Sequence, residues 1–139
     1  MRKCAELSAA SNFIEELPMK YDTIVGERGV GLSGGQKQRI SLARALAMKP
    51  SILILDDTTS AVDTETERQI QHNLKNLDFN CTKLIIAQRT SSAKNADRIM
   101  IIKDGKVAQF GTHDELMQDK NGYYYEIYTL QNGGEKEAV

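Results

Sequence analysis

Five consecutive residues, Leu32, Ser33, Gly34, Gly35 and Gln36, bring together a hydroxyl, two glycines and an amide just ahead of a run of good helix formers. Ser33 and Gln36 have the S-x-x-Q spacing of a capping box, which predicts a helix from Ser33 to about Met48, ended by Lys49 and Pro50. The first N–H groups of such a helix have no acceptor within it, and the positive end of its dipole faces outward, so an anion such as phosphate suits the position. A merely capped helix after a flexible turn would explain the same five residues. A second chemical feature is the carboxylate pair Asp56 and Asp57, which closes the apolar run 52–55. Carboxylates at the carboxyl end of a strand lie on the edge where open α/β sheets bind ligands. Taken alone, the strand and its pair read more readily as a hydrophobic strand followed by a solvated acidic turn.

The elements that must position these residues follow from the apolar spacing. Residues 5–17 place Leu7, Ala10, Ile14 and Leu17 on one helical face, and Pro18 ends that helix. Residues 21–31 carry three glycines and read as irregular backbone leading into Ser33. The run 52–55 has no polar residue and is expected as a strand buried on both faces. Asp63 or Thr64 caps a helix with an Ile70, Leu74 and Leu77 stripe; residues 83–87 form a second buried strand with Gln88 at its carboxyl end. Residues 98–103 and 106–110, joined by Asp104-Gly105, read as a β-hairpin with a two-residue turn. Thr112 and Glu115 form a second capping box, and the Tyr-rich segment 123–130 packs as a helix on its own domain. Helices alternating with short β-branched runs give an α/β fold with a largely parallel sheet.

Composition excludes several classes. With 40% hydrophobic residues in 139 and Gly at an ordinary level, the chain is expected to fold as one domain rather than remain disordered. A net charge of -1, from 18 basic and 19 acidic residues, provides no general electrostatic footprint for nucleic acid or anionic lipid. Cys4 and Cys81, without metal-ligand spacing, read as free thiols of a reducing compartment, and zinc is not indicated. No apolar run approaches the roughly 20 residues of a membrane span, and the first residues lack the apolar stretch of a secretory signal. His72 and His113 read as surface residues rather than ligands.

The order LSGGQ-KQR, hydrophobic strand with Asp-Asp, SAVD, then a second strand ending in a polar residue resembles the ATP-binding cassette (ABC) family, its exporter branch in particular. The stretches FIEELPMKYDTIVGERG, QRISLARAL, NADRIMIIKDGK and GTHDEL look like the C-terminal half of an exporter nucleotide-binding domain, and the likeness runs from about residue 12 to residue 130. The resemblance implies a partial P-loop NTPase fold: residues 1–31 end the helical subdomain and lead to the signature motif. Residues 32–130 supply the C-terminal part of the ATPase core, with its hairpin and helices, and 131–139 form a solvated tail. It further implies ATP and Mg2+ as cofactors. Leu32 to Gln36 become the signature motif, whose Ser33, Gly34, Gly35 and Gln36 bind ATP; Asp56 becomes the Walker B magnesium carboxylate and Asp57 the catalytic carboxylate. Ser60, Ala61, Val62 and Asp63 form the D-loop, and Gln88 falls at the switch histidine. The implied partners are a second nucleotide-binding domain and the transmembrane domains of a transporter, which places the chain at the cytoplasmic face of a membrane. By itself it would be soluble or prone to aggregate in the cytoplasm.

Three departures from the family pattern carry consequences. No G-x-x-x-x-G-K-[ST] loop is present, since the only Gly-Lys pair, Gly105-Lys106, is followed by Val107. The chain is therefore expected to begin within the helical subdomain, with the phosphate loop and membrane helices preceding it. Asp57 stands where most members have Glu, withdrawing the carboxylate by about one carbon-carbon bond, roughly 1.5 Å. A misplacement of about 1 Å can cost on the order of 100-fold in rate. Gln88 replaces a histidine with an amide that hydrogen-bonds but does not change protonation. Together these point to the degenerate-site subunit of a heterodimer. Other readings are a soluble cassette ATPase of DNA repair or translation, against which long coiled-coil heptads are missing, and a non-enzymatic module that lends its signature motif to another chain.

Overall fold

The computed structural model describes residues 1–25, 31–56 and 58–132. The chain divides into two compact units, Met1–Ile86 and Ala87–Val139.

The first unit begins with two short helices, α1 (Arg2–Leu7) and α2 (Ser11–Glu15), followed by a single 3-10 turn at Lys20–Asp22. The sequence pattern predicts one helix over 5–17, but the chain breaks at Ala9, whose φ is 56°. Two bonds formed by the break account for it. The Ser8 hydroxyl turns back to donate to Ala5 O at 3.2 Å, and the freed Ala9 carbonyl accepts from Arg39 Nη1 at 2.8 Å. Helix α3 (Gly34–Ala47) starts at Ser33, as the capping box requires. Strand β1 (Ile52–Asp56), helix α4 (Thr64–Lys75) and strand β2 (Thr82–Ile86) complete the unit, with β1 and β2 parallel and Ile54 beside Leu84. Asp63 is the N-cap of α4, its carboxylate accepting from the Thr66 N–H at 2.9 Å. Leu42, Leu46, Leu53, Leu55, Ile70 and Leu74 form the main core, while Ala5, Ala10, Phe13 and Ile14 form a second.

Only one face of the β1–β2 sheet is buried, which corrects the expectation of burial on both. Leu53 and Leu55 turn inward, whereas Ile52, Ile54, Leu84 and Ile86 are each more than half exposed. With a period of two and this register, these four side chains share a face. Contiguous apolar surface of this kind favours association. The isolated 139-residue chain is therefore expected to self-associate or aggregate, and sedimentation that returned a monodisperse monomer with a cooperative melt would contradict this.

The second unit holds helix α5 (Thr90–Ala93), the antiparallel hairpin β3 (Ile99–Lys103) and β4 (Lys106–Gly111), and helices α6 (His113–Gln118) and α7 (Tyr123–Asn132). Asp104 and Gly105 have φ of 52° and 71°, the paired left-handed residues of a type I′ hairpin turn. Thr112 and Glu115 form the expected capping box, with Thr112 N donating to Glu115 Oε2 at 2.7 Å. The core is Ile99, Leu116 and Tyr124. His113 departs from its surface reading. It is half-buried, with its Nδ1 2.9 Å from the Tyr124 hydroxyl and its ring against Tyr128, and burial pushes the Tyr124 hydroxyl pKa up. His72 is on the surface, beside Asn76. Gln131 and Asn132, expected as the start of a solvated tail, belong to α7; residues 133–139 lie outside the described residues. No helix among the described residues is long and apolar enough to cross a membrane.

Candidate functional site

The site is built on the first turn of α3. Ser33 sits at the N-cap in extended conformation (φ -68°, ψ 163°), its Oγ accepting from Gln36 N at 3.2 Å while Gln36 Oε1 accepts from Ser33 N at 2.9 Å. A hydroxyl used as acceptor in this way keeps its own O–H proton for a further partner. Ser33 and Gly34 are exposed. The N–H groups of Gly34 and Gly35 fall at the first two helical positions, which have no i−4 carbonyl to reach. Hydroxyl, N–H groups and helix dipole thus converge on a point suited to an anionic oxygen.

The two glycines are explained by what lies against them. A Cβ on Gly35 would lie 2.6 Å from the Ala61 carbonyl oxygen, and one on Gly34 would meet Ala61 Cβ at 3.5 Å. The segment Ser60, Ala61, Val62 and Asp63 is therefore packed directly onto the first turn of α3. Gln38, one turn further on, fastens it: Nε2 donates to Ser60 Oγ at 3.0 Å and Oε1 accepts from Ala61 N at 3.1 Å. Val62 is buried, and Asp63 both caps α4 and is held below the usual carboxylate range by the Thr66 N–H. Behind this segment the buried Glu67 accepts from Thr59 Oγ1 and from Gln71 Nε2, both at 3.3 Å.

Arg39 ties the same turn to the helices before it. Its Nε donates to Gly35 O at 3.3 Å and its Nη1 to Ala9 O, and its guanidinium lies over the Phe13 ring, 4.8 Å from the centroid. Neither Gln38 nor Arg39 stands out by spacing. Their side chains act on segments 23 and 30 residues away, and the sequence signal available was only that both follow the LSGGQ run.

Asp56 ends β1 and is exposed, its carbonyl accepting from Thr58 Oγ1 at 3.4 Å. Asp57 lies outside the described residues. Gln88 belongs to the second unit, where it is exposed just beyond β2. The structure thus brings Ser33 to Gln36 together with Ser60 to Asp63, and carries Asp56 at the sheet's carboxyl edge. Among the described residues no cluster of three or more His, Cys, Asp or Glu could hold a metal by itself, and Cys4 and Cys81 are free thiols.

The sequence profile of the family described as ABC transporter matches residues 3–60. An uncharacterized ABC transporter ATP-binding protein of Bacillus subtilis, YknU, is 56% identical over 129 residues, covering 93% of this chain and 22% of the relative. The ATP-dependent lipid A-core flippase of Desulfotalea psychrophila is 50% identical over 131 residues, covering 94% and 23% respectively. A solved structure of a bacterial Atm1-family ABC exporter with ATP bound superposes with a TM-score of 0.87 at 38% identity, over 99% of this chain and 23% of that one. The chain spans less than a quarter of the length of these relatives. This agreement in sequence and backbone identifies the chain as a partial exporter-type ABC nucleotide-binding domain, matching its C-terminal half.

Proposed function

We propose that this chain works within an ABC exporter whose ATP hydrolysis powers transport across a membrane, on the cytoplasmic face and in contact with transmembrane domains. Its Ser33, Gly34, Gly35 and Gln36 contact ATP held by a second nucleotide-binding domain. Its Asp56, Asp57 and Gln88 serve the nucleotide of its own polypeptide. The observation that carries this reading is the exposed N-cap of α3, where Ser33 and Gly34 lie at the surface and the 60–63 segment is fastened against the same turn by Gln38. The relatives' names, one an ATP-binding protein and the other an ATP-dependent flippase, support it.

The residues fit Mg-ATP by their donor set. Mg2+ takes one or two carboxylates and completes its shell with phosphate oxygens and water, so the exposed Asp56 at a strand end suits a phosphate-borne magnesium. Bound ATP would supply the phosphoanhydride that is cleaved. Ser33 would donate to a phosphate oxygen, Asp57 would orient and accept a proton from attacking water, and Gln88 would hydrogen-bond the γ-phosphate without titrating. Ser60, Ala61, Val62 and Asp63 would serve as the D-loop toward the second nucleotide-binding domain.

We further propose that this is the subunit with the degenerate site in a heterodimer, since Asp replaces Glu at position 57 and Gln replaces His at position 88. Steady-state phosphate release from the purified full-length complex tests it. Asp57→Asn is expected to leave turnover nearly unchanged, and Asp57→Glu with Gln88→His to raise it on the order of twofold as a second site begins to fire. Loss of turnover in Asp57→Asn would show that this subunit holds the working site.

A further inference from the structure

We infer that Gln131, near the end of α7, is a positioning residue for Gln88, an inference that rests on the reading of Gln88 as the γ-phosphate contact. The Gln131 amide uses both of its ends on one loop. Nε2 donates to the Gln88 carbonyl at 3.0 Å, and Oε1 accepts from Thr90 N at 2.8 Å and from Thr90 Oγ1 at 3.0 Å. Asn132 adds a bond from Nδ2 to Thr90 Oγ1 at 3.2 Å and another to Tyr128 O at 2.8 Å.

The loop needs this support. Helix α5 is only four residues long, and its N-cap, Arg89, makes no side-chain cap. Gln131 supplies from 41 residues away an acceptor for Thr90 N, the first N–H of this helix, which has no acceptor within the helix. Gln88 immediately precedes that cap, exposed and outside any strand or helix, so the backbone from which its side chain reaches outward is held through Gln131 and the buried Thr90.

Gln131 is itself well placed to hold a position. At the other end of α7, Gln109 Oε1 accepts from Tyr124 N at 2.8 Å while Gln109 Nε2 donates to Asp119 at 3.1 Å, and the Tyr124 side chain is 1% exposed. Helix α7 thus runs from the hairpin core to the Gln88 loop, fixed at both ends by a glutamine amide.

The test is Gln131→Glu in the assembled full-length transporter. A carboxylate keeps both acceptor roles toward Thr90, loses the donor to the Gln88 carbonyl and sets an anionic oxygen against that carbonyl oxygen, so the Gln88 backbone is released or pushed away. The readout is photolabelling of this polypeptide by azido-ATP, competed with ATP or with ADP. Loss of one hydrogen bond holding Gln88 is expected to weaken ATP competition about 2- to 10-fold while ADP competition and the melting temperature stay at wild type. Gln88→Ala, measured beside it, should lower ATP competition in the same selective way, and the double variant should add nothing further. If Gln88→Ala is selective and Gln131→Glu is not, the positioning role is overturned and the reading of Gln88 stands. If Gln88→Ala leaves ATP competition unchanged, the reading of Gln88 falls and this inference with it. Equal loss of ATP and ADP competition in Gln131→Glu would mark a purely structural residue and overturn the inference. Gln131→Asn, which withdraws the amide by one methylene, serves the same comparison if the glutamate variant does not assemble.

Discussion

Gly35→Ala is expected to reduce phosphate release by the full-length transporter on the order of 100-fold while leaving the melting temperature close to wild type. The added methyl carbon would lie 2.6 Å from the Ala61 carbonyl oxygen, a separation that real contacts do not sustain. Either the first turn of α3 or the segment carrying Ala61 must shift, and both belong to the proposed nucleotide site. A displacement of about 1 Å at such a site costs about two orders of magnitude in rate. Stability moves less, because replacing a helical glycine with alanine returns roughly 0.5–1 kcal/mol of backbone entropy against the strain. The obstacle is a backbone oxygen, so Ala61→Gly in the same chain should not restore activity. Wild-type turnover in Gly35→Ala would show that the close packing of this turn has no bearing on catalysis.

The second large effect is expected at Ser33. Ser33→Ala removes the hydroxyl that accepts from Gln36 N and, in the proposed site, donates to a charged phosphate of the partner's nucleotide. Charge-assisted bonds of this type are worth roughly 1.5–3 kcal/mol, so turnover should fall about 10- to 100-fold, with about 1 kcal/mol of helix stability lost through the cap. Ser33→Asp separates the two contributions. A carboxylate caps as well as a hydroxyl does, so the melt should recover, but its charge opposes a phosphate and turnover should fall below that of Ser33→Ala. Full turnover in Ser33→Asp would mean that the residue only starts a helix.

Features governed by a few adjacent residues were legible in the sequence. The capping boxes at Ser33 with Gln36 and Thr112 with Glu115, the Asp63 cap, and the Asp104-Gly105 turn each depend on chemistry within four positions and fold as expected. The packing of the Tyr-rich segment was legible too, because Tyr124 follows the apolar face of its helix. What was not legible depends on distant partners. The pattern over residues 5–17 is continuous for a helix, and nothing near Ala9 announces that Arg39 will bind its carbonyl. The burial of ILIL on one face only cannot be read from four apolar residues, because composition does not say what stands on either side of a strand. Gln38 and Gln131 look like any solvated glutamine until the fold brings a second segment to each amide. His113 reads as an exposed capping-box residue, yet two tyrosines from α7 close over it.

The double pinning of α7 also limits how this part of the chain can vary in length. Between Tyr124, locked in the core by its side chain and by Gln109, and Gln131, clasped to the Gln88 loop, the helix acts as a spacer of fixed phase. Inserting or deleting one residue there would turn everything beyond it by about 100° around the axis and move it about 1.5 Å along it, carrying the Gln131 amide off the loop. The exposed Asp104-Gly105 turn faces no comparable constraint, with open space around Gly105. Related chains are thus free to gain or lose residues at the hairpin tip, whereas the interval from 124 to 131 tolerates substitution on its outer face but not a change in register.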